Sequence, residues 1–268
     1  MRLFKFVDSR GVDILENERI KFTPPNQFKD PFEFRPAIAK PSKKFLKQRL
    51  GELLKGASSE WWESPDAPKG FNRSQRRQED LRIKKEAIRK IRSGEEPFPE
   101  KLQDSLADEV GAQFGVLCLC AVNNENLMWY HCADGHKGFV IEFNSEHAEF
   151  QKLGKPTGVI YSDKPPIYDL SNPTAEHWRV KPKYLKYEAE YRILARLPAS
   201  TPHKMPDGQP LYLARLSRAS VKAVYLGHRM EKSVREKILQ ILNGTTVSKF
   251  DAIPSREDYT LSFREITN

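Results

Sequence analysis

Residues 187–194 read YEAEYRIL. Tyr187, Ala189, Tyr191 and Ile193 alternate with Glu188, Glu190, Arg192 and Leu194, the period of a β-strand. The alternation predicts two carboxylates and a guanidinium on one strand face. A carboxylate pair on a half-buried strand has two pKa values that its surroundings can drive apart. One carboxylate then stays ionised beside a developing cation while the other positions a nucleophile. The plainer alternative is a solvent face on which Arg192 neutralises the acids across one pleat. The neighbouring Tyr184, Tyr187 and Tyr191 argue for a packed strand.

A second stretch, NLMWYHCADGHKGFVIEF (126–143), gathers Met128, Trp129, Tyr130, His131, Asp134, His136 and Lys137 before a strand. Aromatic and imidazole groups together suit a planar ring with hydrogen-bonding edges. Equally, the segment reads as a helix that packs Trp129 into the core. Cys118, Cys120, His131, Cys132 and His136 are zinc-capable types. Their spacing lacks paired C-x₂₋₄-C motifs, so no metal is expected. Neither G-x-x-x-x-G-K-[ST] nor G-x-G-x-x-G occurs. LGHRMEKSV (226–234) runs strand, glycine, helix start, and reads best as an ordinary turn.

These residues need elements to position them. RLFKFV (2–7) reads as a first strand and residues 20–22 as a second. TPPNQFKDPFEF (23–34) is a loop with fixed corners. FGVLCLCAV (114–122) is apolar throughout, as a buried central strand is. Further strands are expected over 138–143, 158–162, 187–196, 211–217, 221–227 and 259–266. EKSVREKILQILNG predicts an amphipathic helix over about 231–243, stopped near Gly244.

Residues 41–110 differ in texture: highly charged and helical, with a basic run at 74–93. Leu81, Ile83, Ile88 and Ile91 give that run a thin apolar stripe. Arg76, Arg77, Lys84 and Lys85 are its candidate phosphate contacts; a merely solvated helical face is the alternative. The expected fold class is α+β, a split mixed or antiparallel β core in one domain over 1–268. Residues 41–110 form a charged helical insertion or lid.

The 268 residues carry a net charge of +9, which favours an acidic partner such as nucleic acid. Three cysteines and no apolar leader fit a reducing, cytoplasmic setting, and no stretch is long and apolar enough to span a membrane.

The order of motifs resembles the DUF2971 family of bacterial proteins. The resemblance rests on LFKF (3–6), FTPPNQFKDPFE (22–33), Cys118-Leu119-Cys120, MWYHCADGHKG (128–138) and KYLKYEAEYR (183–192). It spans nearly the whole chain outside 41–110. Lys29 stands where the family has Asn, Cys120 where it has Ser, and Leu185 or Lys186 where it has Trp. The family's architecture is similar to the ADP-ribosyltransferase fold, in which a first-strand basic residue, a middle Ser-type strand and a late E-x-E strand follow in order. Lys5, Cys120 and Glu188-x-Glu190 match that order.

The resemblance implies an NAD-dependent ADP-ribosyltransferase with NAD as substrate. Glu190 would hold the ribose and Glu188 would orient the acceptor. Lys5 would pair with the pyrophosphate, and Cys120 would take the place of the serine. Trp129 and His131 would wall the nicotinamide, with Asn26 and Asp30 over the adenosine. It also implies a toxin or phage-defence effector with an antitoxin or other control protein, and the charge points to an RNA or DNA acceptor. The competing classes are a non-catalytic nucleic-acid-binding module and, ranked last, a metal-dependent nuclease using Asp30, Glu188 and Glu190.

Overall fold

A computed structural model describes residues 1–39, 42–47, 62–65, 67, 69–95, 108, 111–169, 176–197, 203–204 and 208–267. The chain divides into two compact units. One comprises Met1–Phe34, Ala107–Lys164 and Arg179–Asn268; the other comprises Arg35–Leu106 and Pro165–Trp178. Among the described residues the strands are, in chain order, β1 (Arg2–Val7), β2 (Arg19–Phe22), β3 (Ala37–Ile38), β4 (Phe114–Cys120), β5 (Phe139–Asn144), β6 (Thr157–Gly158), β7 (Ile160–Ser162), β8 (Ile167–Tyr168), β9 (Val180–Pro182), β10 (Glu190–Arg196), β11 (His203–Lys204), β12 (Pro210–Arg215), β13 (Val221–Leu226), β14 (Ser248–Pro254) and β15 (Leu261–Glu265).

The first unit is α+β. Its main sheet has eight strands in the order β15-β14-β13-β5-β1-β4-β10-β6. The strands are antiparallel except for β13 and β14, which run parallel and are connected through the helix Lys232–Ile241. Both sheet faces are covered, which is why β4 and β5 are apolar almost residue by residue. Leu3, Leu117, Leu119, Ile141, Ile193 and Val224 pack on one face with Ile238 of that helix. Phe4, Phe6, Cys120, Val140 and Tyr225 pack on the other with Trp129 of the helix Asn126–Cys132. Each such side chain, fully buried, contributes about 1.5–3 kcal/mol.

The sheet opens at its middle. β1 pairs with β5 from Arg2 to Val7, but meets β4 only at Phe4 and Cys120. On its far side β4 pairs with β10 along its whole length, from Phe114 to Cys120. Lys5 reaches across the opening, its Nζ donating to the Cys118 carbonyl at 3.0 Å.

The second unit contains the basic helix, Arg73–Ser93. A capping box between Asn72 and Gln75 starts it, and Gly94 at φ 84° stops it. Only half the expected stripe is used: Ile88 and Ile91 pack with Leu46, whereas Leu81 and Ile83 are exposed. β3 and β8 form a parallel pair, so Pro165–Trp178 belongs with this unit, a grouping the sequence texture did not suggest. Buried His177 lies between Tyr168 and Trp178, its ring 4.2 and 4.4 Å from theirs. Burial lowers its pKa to about 4. Of the helical texture expected over 41–110, residues 48–61 and 96–107 lie outside the described residues.

Candidate active site

The strand expected over 187–194 begins later than its alternation suggests. Lys183–Glu188 forms a 3₁₀ helix, Ala189 takes a left-handed conformation at φ 43°, and β10 starts at Glu190. Glu190 and Arg192 therefore share a strand face as expected. Glu188 does not; it projects from the preceding turn. What unites the two glutamates is Lys181, on β9, a residue with no signal of its own in the sequence.

Lys181 is fixed by a parallel pairing of β7 with β9 that sets it opposite Tyr161. Its Nζ lies 2.5 Å from Glu188 Oε2, 2.8 Å from Glu190 Oε2 and 3.1 Å from Glu33 Oε1. Arg192 donates from Nε to Glu190 Oε1 at 2.7 Å and from a terminal nitrogen to Glu33. Its guanidinium sits 4.5 Å over the Phe34 ring. The backbone of Glu190 is pinned as well. Its N–H donates to Tyr161 Oη at 2.8 Å, and its carbonyl accepts from Val159 N–H at 2.9 Å.

Glu33 arrives from the fixed-corner loop. Asp30 folds that loop: its carboxylate accepts from Phe32 N–H at 2.8 Å and its carbonyl from Glu33 N–H at 3.2 Å. Phe34 then turns left-handed at φ 57° and packs its ring 4.6 Å from Phe28. Positive φ at a residue with a Cβ costs about 1–3 kcal/mol and persists where the surroundings over-determine it. Phe34 and Ala189 both flank this cluster.

Three carboxylates thus face two cations in a site where Glu190 is only 2% exposed. Burial pushes Glu190 up, but the Arg192 guanidinium and the Lys181 ammonium outweigh it and bring the carboxyl down to about 2. Burial pushes Glu188 up too; Lys181 opposes this, the charges of Glu190 and Glu33 reinforce it, and the net shift is upward. Glu188 is the more open of the pair, its side chain 16% exposed. Lys181 and Arg192 are desolvated, yet the surrounding carboxylates hold both above their ordinary values.

The other sequence candidates scatter around this cluster. Lys5 occupies the sheet opening. Cys120 is buried beside Phe4, and burial together with the Glu190 charge drives its thiol up. Trp129 cannot wall a bound ring: it is fully buried, its Nε1 donates to the Asn123 carbonyl at 2.7 Å, and it stacks on His136 at 5.7 Å. The apolar stripe of its helix, not a ligand, explains it. His131 is exposed beside Tyr130. Asn26 is exposed on the 3₁₀ turn Pro25–Gln27. Asp30 serves the Glu33 turn.

Arg77 and Lys85 are exposed on the basic helix and Lys84 is half-buried. Arg76 stacks 5.2 Å over Trp62 and donates to the Phe71 carbonyl at 3.1 Å. Sequence reasoning missed Lys181 and Glu33. No group of His, Cys, Asp and Glu among the described residues could hold a metal ion, and no helix among them is long and apolar enough to cross a membrane. No family model, curated protein or solved structure matches the chain.

Proposed function

We propose that the chain is an NAD-dependent ADP-ribosyltransferase in which Glu188 is the carboxylate that meets the reacting groups. One observation carries this reading. A single ammonium, Lys181 Nζ, lies 2.5 Å from Glu188 and 2.8 Å from Glu190, and the two carboxyls are shifted in opposite directions. Opposed shifts in a close pair are the mark of divided acid–base roles.

In the reaction the bond between C1′ of the ribose and the nicotinamide nitrogen breaks. Nicotinamide leaves with the bonding pair, and positive charge builds on the ribose. Glu190, kept ionised by Arg192 and Lys181, supplies fixed negative charge behind the site. Glu188, less acidic and more open, takes the proton of the acceptor nucleophile as it bonds to C1′. Lys5, at the opening between β1 and β4, is the nearby cation suited to a pyrophosphate. This casting exchanges the emphasis expected from sequence, because burial leaves Glu190 little surface to offer a substrate.

The charge of +9 favours a polyanionic acceptor, RNA or DNA. A role as a toxin or defence effector, with a control protein, rests on the resemblance to DUF2971 proteins alone. The test is incubation with NAD labelled in the adenylate, measuring nicotinamide release and incorporation of label into RNA, DNA and protein. Absence of release under all three conditions would sink the proposal.

A second reading has one observation in its favour: both oxygens of Glu190 are already paired. The cluster would then be structural, and the protein a non-catalytic nucleic-acid-binding module. That reading expects salt-dependent binding and no release of nicotinamide.

A further inference from the structure

The opposite end of β1 carries a second polar constellation, separate from the Glu188 cluster. Glu142, on β5, is almost wholly buried; its side chain is 2% exposed. Arg2 donates to it from Nε at 2.7 Å and from a terminal nitrogen at 2.9 Å. Tyr225 Oη donates to it at 2.6 Å, and the same Arg2 nitrogen donates to Tyr225 Oη at 3.1 Å. The guanidinium lies 5.3 Å from the Phe4 ring centroid. A register shift between Val221 and Ala223 lets Lys222 leave the strand alternation, and its Nζ comes to 4.0 Å from the same carboxylate.

A buried carboxylate with this many partners is an anchor. It holds two cations whose outer parts remain in solvent: the side chains of Arg2 and Lys222 are 58% and 63% exposed. Both line a cavity of about 490 Å³, together with Asn144, Glu146, Ser220 and Thr246. Glu146 is engaged by the Met1 amine at 2.8 Å. Arg2 and Lys222 exceed Glu142 by one positive charge, and Lys222 is only loosely engaged. A preorganised guanidinium beside a looser ammonium, with the exposed Asn144 amide and Thr246 hydroxyl alongside, matches a phosphate group.

We propose that this cavity binds a phosphate group, supplied either by a free nucleotide or by a nucleic-acid backbone. The assignment does not depend on the chemistry proposed for Glu188.

Isothermal titration at low salt with inorganic phosphate, AMP and a short single-stranded RNA tests it, on wild type, Lys222→Glu and Lys222→Ala. Lys222 is exposed, so both variants should fold and melt as wild type does. Wild type should bind at least one probe saturably. Lys222→Glu should weaken that binding about tenfold or more, and Lys222→Ala less, as befits losing one charge-assisted contact. Response to AMP without RNA identifies a free nucleotide; response to RNA without AMP identifies the backbone. No saturable binding of any probe, or binding equally tight in Lys222→Glu, overturns the proposal.

Discussion

Lys181 Nζ lies 2.8 Å from Glu190 Oε2, and both side chains are withdrawn from solvent. The pair joins β9 to β10 across a 3₁₀ turn. Glu188 and Glu33 meet the same ammonium, so removing Lys181 strands three carboxylates with Arg192 as their remaining cation in the cluster. Breaking a buried pair by deleting one partner costs about 3–5 kcal/mol. Lys181→Met should lose that much in urea unfolding. Lys183→Met, whose exposed partner Asp163 is 3.1 Å away, should lose about 1 kcal/mol or less. Equal losses would show that the cluster adds nothing beyond surface pairing.

Stability should depend on pH through Glu190. Its folded pKa is depressed from the ordinary 4.5 to about 2. Its contribution is therefore fully present above the unfolded value and is lost as pH falls towards 2. Glu188 acts oppositely, since its raised folded pKa favours the native state as it takes up a proton. Melting curves of wild type and Glu190→Gln should differ most above pH 4.5 and converge as pH falls. A gap that widens below pH 4 would contradict the assignment.

Trp129 should behave as core. Trp129→Ala should cost about 3–5 kcal/mol in denaturant unfolding, the range for emptying a large buried aromatic site. Loss of NAD binding at unchanged stability would instead restore its expected role as a wall for the nicotinamide.

On the basic helix, Arg77 and Lys85 are the cations to reverse. Arg76 is committed to Trp62, and Arg82 and Arg89 pair with Glu79 and Glu86. Arg77→Glu with Lys85→Glu should reduce the salt slope of nucleic-acid binding by about one unit per lost contact. An unchanged slope would make the helix a solvated face.

Much of the first unit was legible in the sequence because its signals are local. FGVLCLC is an apolar run suited to a doubly covered sheet, and KSVREKILQI has a helical stripe. The candidate site was half legible. Glu190 and Arg192 obey period two, and strand geometry put them on one face. Glu188 obeys the same period but lies beyond a left-handed Ala189, which carries no glycine to announce it. Lys181 and Glu33 were illegible for another reason. Glu33 reaches Arg192 across 159 residues, a tertiary pairing that no periodicity encodes. The bridge between Thr23 and Val116 ties the segment leading to Glu33 to β4, the neighbour of β10, and the β7–β9 pair fixes Lys181; neither pairing is local.

The most direct test of the central claim is the initial rate of nicotinamide release from NAD by wild type and Glu188→Gln, followed against pH. Glutamine keeps the shape and removes the base. The variant should fold normally and lose roughly 100- to 10,000-fold in rate, as expected when a positioned general base is removed. The wild-type rate should fall as pH drops through the raised pKa of Glu188, with the midpoint above the ordinary carboxylate value, because burial disfavours its charged form. A Glu188→Gln protein that releases nicotinamide at the wild-type rate would place the chemistry elsewhere.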